Sequence, residues 1–279
     1  MDLYAVVESD VSKALDEDVG TGDVTASLIP EDANAHATVI SRENAVLCGV
    51  PWFEACFRQC DPAVEIVWQA AEGDEIGASD VLCTIHGNAR ALLSAERCAL
   101  NFLQLLSGIA TKTRRFAKAV SGTRAQVMDT RKTLPGLRYA QKYAVRVGGG
   151  RNQRMGLYDA ILIKENHIAA CGGVRRALEE AARVPDVSVQ IEVESMAELD
   201  EALAAGAKLI LLDNFDVDGL RRAVEFTAGR ATLEASGGVN LDTVREIAET
   251  GVDRISIGCL TKDVDAVDLS MRIQVTALA

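Results

Sequence analysis

The chain has 279 residues, 48% hydrophobic and 25% charged, with a formal net charge of -12. That length holds core enough for one large domain or two modest ones, and the acidic balance excludes nucleic acid as a main partner, since binding phosphate backbones needs a broad basic face. The opening MDLYAVVESD is acidic where a secretory leader is basic and then apolar, and no apolar run approaches the ~20 residues that span a bilayer, so no membrane association is expected.

Taken in order, residues 6–15 have helical apolar spacing, and EDVGTGDVT (17–25) reads as an acidic turn with Asp23 capping the segment after it. Strands are expected at 36–40, 64–68 and 81–85, with a short helix at 51–60. Glu72-Gly73-Asp74 and His86-Gly87-Asn88 read as turns. A long amphipathic helix is expected from near Ser94, with Leu100, Leu103, Leu106 and Ile109 on one face and Gly108 permitting close packing. Arg97 stands at its start and by itself reads as a surface arginine. The seven cysteines (48, 56, 60, 83, 98, 171, 259) make no CxxC and read as buried free thiols of a reducing, cytoplasmic compartment rather than as a zinc site.

A rhythm then sets in. Apolar runs at 127–129, 161–163, 189–193, 209–212, 232–235 and 254–257 each end in polar or glycine residues. Helical patterns lie between them at 174–183, 195–205, 218–227 and 241–250, three of them opening near caps at Ser195, Asp216 and Asn240. Six strand-then-helix units predict a parallel sheet, and their even repetition predicts an α/β barrel two strands short of eight.

Barrel chemistry sits at the carboxyl ends of the strands. Those ends carry Arg131 and Lys132, Lys164, Glu192, Asp213, Ser236-Gly237-Gly238 and Gly258. The stretch 129–167 holds eight Lys or Arg against three acids, with Gly148-Gly149-Gly150 in its middle. Such a cluster suits a small, highly charged anion, although a solvated basic face has the same composition. Glycine loops after the last two strands suit a phosphate held by backbone N–H groups. Glu192 and Asp213 suit Mg²⁺ carrying ligand phosphates, or else simple pairing with Lys132 and Lys164. His167 reads as structural or capping. The residues thus point to an enzyme for a phosphorylated, Mg²⁺-associated, multiply anionic substrate without naming the reaction.

With these residues assembled, the chain resembles the quinolinate phosphoribosyltransferases. The resemblance rests on DEDVGTGDVT (16–25), ERCALNFLQLLSGIAT (96–111), DTRKTLPGLR (129–138), KYAVRVGGG (142–150), GLYDAILIKENHI (156–168), IEVES (191–195), LLDN (211–214), EASGGV (234–239) and GVDRISIG (251–258). It implies an α/β fold: an N-terminal α/β sandwich (1–108, joined by the tail 260–279) and an incomplete six-stranded α/β barrel (109–259). It also implies a homodimer in which Arg97 reaches the pyridine carboxylate in the neighbouring subunit's site. By the same carry-over Arg131, Lys132, Gln153, Arg154 and Lys164 surround quinolinate. Glu192 and Asp213 hold the ribose hydroxyls and Mg²⁺ of phosphoribosyl pyrophosphate (PRPP). Ser236, Gly237, Gly238 and Gly258, with Lys132, take up phosphate.

Lys132, Lys164, Glu192 and Asp213 are then the catalytic set. The implied reaction gives nicotinate mononucleotide, pyrophosphate and CO₂. Two departures stand out: Asn152-Gln153-Arg154 where the family has N-H-R, and Leu260-Thr261-Lys262-Asp263 where it has LTHS. A glutamine keeps a donor but cannot become cationic, which leaves open a preference for another pyridine acid. A silent ligand-binding homologue and a Schiff-base aldolase are the remaining alternatives.

Overall fold

The helical spacing at 6–15 extends at both ends into α1, Leu3–Asp18, because the Asp2 carboxylate accepts the Tyr4 amide at 3.3 Å and caps the first turn. The computed structural model describes residues 2–275 and divides into two units. Of the described residues, the first comprises 2–112, Pro135–Gly148 and 264–275; the second comprises Thr113–Leu134 and Gly149–Asp263.

In the first unit, β1 (Asn34–Ser41), β3 (Glu65–Trp68), β5 (Val81–Asn88) and β12 (Leu269–Val275) form an antiparallel sheet in the order β12-β1-β5-β3. Alternation along β1 buries Ala35, Ala37 and Val39 and turns His36 outward against His86, ring centroids 4.3 Å apart. The tail therefore joins this sheet through β12. Strands β2 (Ala45–Val46) and β4 (Glu75–Ile76) make a small ribbon. Helix α2 (Val50–Cys60) fills the core with Trp52, Phe53 and Phe57, and Glu72 caps it by accepting the Gly49 and Val50 amides at 2.9 and 3.0 Å.

Trp52 Nε1 donates to Asp10 Oδ2 at 3.1 Å across to α1. Burial lifts the Asp10 carboxyl above its ordinary 3.8, and the Trp52 hydrogen bond and Lys13 only partly oppose that. A folded-state pKa above the unfolded one means that ionising Asp10 works against folding. The penalty is absent below the ordinary value and complete once pH passes the lifted one. Asp10→Asn, which keeps an acceptor for Trp52, is expected to be more stable than wild type at pH 7 and no different at pH 3. Urea unfolding at the two pH values checks this.

Helix α3 begins at Ala89, not near Ser94, and runs to Ala119. His86-Gly87-Asn88 is the end of β5 rather than a turn, and Asn88 Oδ1 accepts the Ala91 amide to start the helix at once. Arg97 accordingly lies two turns inside α3, exposed. Helix α4 (Arg138–Val147) has no counterpart among the elements expected from the sequence. It takes Arg138, Lys142 and Arg146 out of the basic stretch and places them in the first unit, Lys142 fully buried.

The second unit carries β6 (Gln126–Met128), β7 (Ala160–Ile163), β8 (Ser188–Val193), β9 (Leu209–Asp213), β10 (Thr232–Ser236) and β11 (Arg254–Ser256), all parallel, in the order β6-β11-β10-β9-β8-β7. Between them run α5 (Glu165–Cys171), α6 (Val174–Ala181), α7 (Met196–Ala204), α8 (Val217–Thr227) and α9 (Val244–Glu249), and α10 (Cys259–Lys262) follows β11. Ser195 and Asp216 cap α7 and α8 through the Glu198 and Gly219 amides. Asn240 instead organises a turn ahead of α9. Six strands with β6 and β7 at the two edges make the incomplete barrel that the rhythm predicted.

None of the seven cysteines is in a disulfide. Four are buried and Cys60, Cys171 and Cys259 half-buried, and burial pushes the Cys83 thiol up to about 12. No helix is long and apolar enough to cross a membrane among the described residues.

Candidate active site

Parallel strands deliver their carboxyl ends to one rim, and the loops after them carry the chemistry. After β6 come Asp129, Thr130, Arg131 and Lys132. Residues 151–154 are stitched beside them: Arg151 N donates to Val127 O at 2.8 Å and Asp129 N to Arg151 O at 3.1 Å, bridging Met128 and Arg151 in parallel. The buried Asp129 carboxylate then accepts from Asn152 Nδ2 at 2.6 Å and from the Gln153 amide at 2.8 Å. This hidden seventh segment is what brings Arg154 to the rim. Arg154 Nη1 donates to Ala160 O at 3.1 Å, and burial together with the nearby Arg131 charge holds its pKa below the ordinary guanidinium value.

Lys164, at the end of β7, places Nζ 2.7 and 2.9 Å from the two carboxylate oxygens of Glu192 on β8. The pairing alternative thus holds for Glu192. It does not hold for Asp213, whose Oδ2 accepts from Asn214 Nδ2 at 2.8 Å. Glu192 is in register with Leu211, so Asp213 stands two residues nearer the rim on the same face of the neighbouring strand. His167 caps as expected, accepting the Lys164 amide on Nδ1 at 3.1 Å.

Ser236 pairs with Asp213 across the strand ends. Gly237 follows at φ +108°, and a Cβ there would lie 2.2 Å from Asn214 Oδ1, so only glycine lets the two loops meet. Gly258 lies close to the Lys132 side chain: a Cβ there would come 3.2 Å from Lys132 Cδ, and the lysine would have to give way slightly. Lys262 lies further on and pairs with Asp263 at 3.1 Å.

A cavity of about 320 Å³ opens at this rim, within the size range of small-molecule sites. Arg131, Lys132, Arg154 and Lys164 line it against Glu192 and Glu234, leaving two net positive charges. Gln153, Ser236 and Ser256 supply neutral polar groups. A second cavity of about 410 Å³, in the first unit, is lined by Asp10, Glu17 and Asp18 against Lys13, the wrong sign for an anion.

Glu234 and Ser256 are lining residues that sequence reasoning missed. The signal was present, since Glu234 interrupts an otherwise apolar run two residues before Ser236. Gln153 lines the cavity and is also bonded to the protein. Its amide nitrogen is spent on Glu234, at 2.6 Å to Oε2, and on Gln190 Oε1 at 3.3 Å. The donor expected for a substrate carboxylate is therefore turned to the protein.

Residues 23–107 match the family model described as quinolinate phosphoribosyl transferase, N-terminal domain, and residues 109–272 match that of its C-terminal domain. A probable nicotinate-nucleotide pyrophosphorylase (carboxylating) of Bacillus subtilis (strain 168) is 40% identical over 259 residues, covering 92% of this chain and 90% of that protein. A mitochondrial quinolinate phosphoribosyltransferase (decarboxylating) of Nicotiana tabacum is 40% identical over 282 residues, covering 93% and 80%. The solved nicotinate-nucleotide pyrophosphorylase of Francisella tularensis superposes with a TM-score of 0.95 at 41% identity, covering 98% of each chain. The chain belongs to the quinolinate phosphoribosyl transferase family.

Proposed function

We propose that this protein transfers the phosphoribosyl group of PRPP to quinolinate with decarboxylation, giving nicotinate mononucleotide, pyrophosphate and CO₂ in de novo NAD biosynthesis. The observation that carries the reading is the cavity at the barrel rim, whose two net positive charges match a pyridine dicarboxylate dianion. Arg131 and Arg154, on neighbouring segments, take the carboxylates as planar forks. Lys132, beside Gly258, separates that subsite from the phosphate loops Ser236-Gly237-Gly238 and Gly258, where it binds phosphate as well. Lys164, fixed by Glu192, keeps a cation over the acid subsite.

Glu192 and Asp213 fit Mg²⁺ as an all-oxygen pair on one face of adjacent strands, which suits an ion that keeps waters and substrate phosphates in its shell. When bound, that ion neutralises the departing pyrophosphate, and the same carboxylates hold the ribose hydroxyls. The pyridine nitrogen forms the bond to ribose C1 as the C1–O bond to pyrophosphate breaks. The bond from ring C2 to its carboxylate then breaks, leaving its electron pair on C2 beside the cationic ring nitrogen. Lys132 and Lys164 stabilise that charge, and a solvent proton ends the step. No general base is required. A Schiff-base role is disfavoured because Lys164 is held by both oxygens of Glu192, the opposite of the unpaired, desolvated amine that chemistry needs.

The test is incubation with quinolinate, PRPP and Mg²⁺ while CO₂ and nicotinate mononucleotide are followed together. Product is expected only when all three are present. Quinolinate bound but not converted would move the assignment to another pyridine acid or to a silent binding protein.

The protein acts as a homodimer in the cytoplasm, a setting that its disulfide-free thiols suit. The exposed Arg97 of one copy serves the site of the other. Mixing inactive Arg97→Ala with inactive Lys132→Ala subunits under exchange is then expected to restore about one quarter of wild-type activity, because half the dimers are mixed and each has one intact site. No recovery, with exchange verified by mass spectrometry, would refute the shared site.

A further inference from the structure

We propose that Glu234 is a positioning residue of the pyridine-acid subsite, acting through Gln153 on Arg154. This rests on the dicarboxylate reading of the cavity. Glu234 is 1% exposed, in register with Leu211 and Arg254 on the neighbouring strands. Every hydrogen bond it accepts comes from a neutral group: the Gln153 amide, the Gln190 amide at 3.0 Å and the Ser256 hydroxyl. A buried carboxylate answered only by neutral donors costs more than an apolar side chain of the same volume. Its place under the cavity therefore points to an ordering role that needs a strong acceptor.

What it orders is residue 153. One carboxylate, Asp129, holds the Gln153 backbone amide at 2.8 Å, and the other, Glu234, holds its side chain. With the side-chain amide also on Gln190 Oε1, the segment is fixed on both sides of its chain direction. Arg154 is the next residue. Its guanidinium donates to the Ala160 carbonyl and lines the same cavity as Arg131, and two like charges on the wall of one small cavity need restraint to stay together. Glu234 and Gln153 supply that restraint from below. The result is a preorganised pair of forks for a dianion, positioned before it arrives.

Glu234→Gln is the test. Its amide keeps an acceptor at one carboxylate oxygen position and puts an NH₂ donor at the other. Because the Gln153 nitrogen donates to both oxygens of Glu234, one of those contacts becomes donor against donor and Gln153 must shift. The quinolinate KM is expected to rise about ten-fold while that for PRPP stays within about two-fold. Gln153→Ala should give a similar rise, and the double variant should be no worse than either single one. Calorimetric affinity for quinolinate alone is measured in parallel. An unchanged affinity in Glu234→Gln overturns the proposal whether or not turnover occurs. So does an equal rise in both KM values, or a double variant whose cost is the product of the two. If wild-type protein binds quinolinate without converting it, the functional reading fails and the affinity comparison still decides on Glu234; if it does not bind quinolinate, both fall. Should Glu234→Gln not fold, Gln153→Ala and Ser256→Ala carry the same comparison from the cavity wall.

Discussion

Replacing Lys132 by Ala is expected to lower kcat/KM of the complete reaction by roughly 10²–10³-fold, with a thermal midpoint within about 2 °C of wild type. The two effects separate because of how the residue is held. Its backbone N–H donates to Thr130 Oγ1 at 3.0 Å and its carbonyl accepts from Thr261 Oγ1 at 2.7 Å, so truncating the side chain leaves both bonds in place. The side chain itself is exposed and runs past Gly258 into the cavity. Nothing buried depends on it. Lys164 is the contrast, because removing it strands the largely buried Glu192 without its cation, and Lys164→Ala should lose stability along with activity. Product formation and thermal melts of the two variants, side by side, check both statements. A Lys132→Ala protein within tenfold of wild type would remove that lysine from the chemistry.

Much of the second unit is legible in the sequence because a parallel strand is buried on both faces and reads as a short apolar run. Ile210–Leu212 announces itself in this way, and the polar residue after the run marks the rim. Periodicity fails where a contact is distant in sequence. Nothing local says that residues 151–154 lie beside β6, since the hydrogen bonds between Arg151 and residues 127 and 129 span more than twenty positions. Arg154 could be named as a site residue only by resemblance.

Glu234 was overlooked for a related reason. Its partners come from positions 153, 190 and 256, so the strand alone shows an acid without a purpose. The basic stretch misleads in the other direction. Arg138, Lys142 and Arg146 have the composition of ligand groups, yet they are the charges of a helix in the first unit. Gly87 misleads once more: it sits inside β5 because a Cβ would come 3.1 Å from Asp61 Oδ2, a close approach rather than a turn.

Gly108→Ala should be the most damaging small substitution in the first unit, by about 3 kcal/mol. Alanine is ordinarily the better helix former, by about 1 kcal/mol, so local propensity predicts the opposite sign. Packing decides it. A Cβ at Gly108 would stand 2.0 Å from the backbone oxygen of Asp265 and 3.4 Å from Ala266 Cα, and neither can rotate away. The tail is fastened to α3 on both sides of that point: Lys112 pairs with Asp265 at 3.1 Å, and Val267 N donates to Gln104 O at 3.1 Å. Relief therefore requires the tail to lift from the helix, loosening the lead into β12 and its pairing with β1. For a chain of this size the loss corresponds to a fall in melting temperature of roughly 6–12 °C, readable by calorimetry. Hydrogen exchange should locate the new opening at β12 and β1, with the barrel strands protected as before. An unchanged midpoint would mean that the tail is not seated on α3 at all.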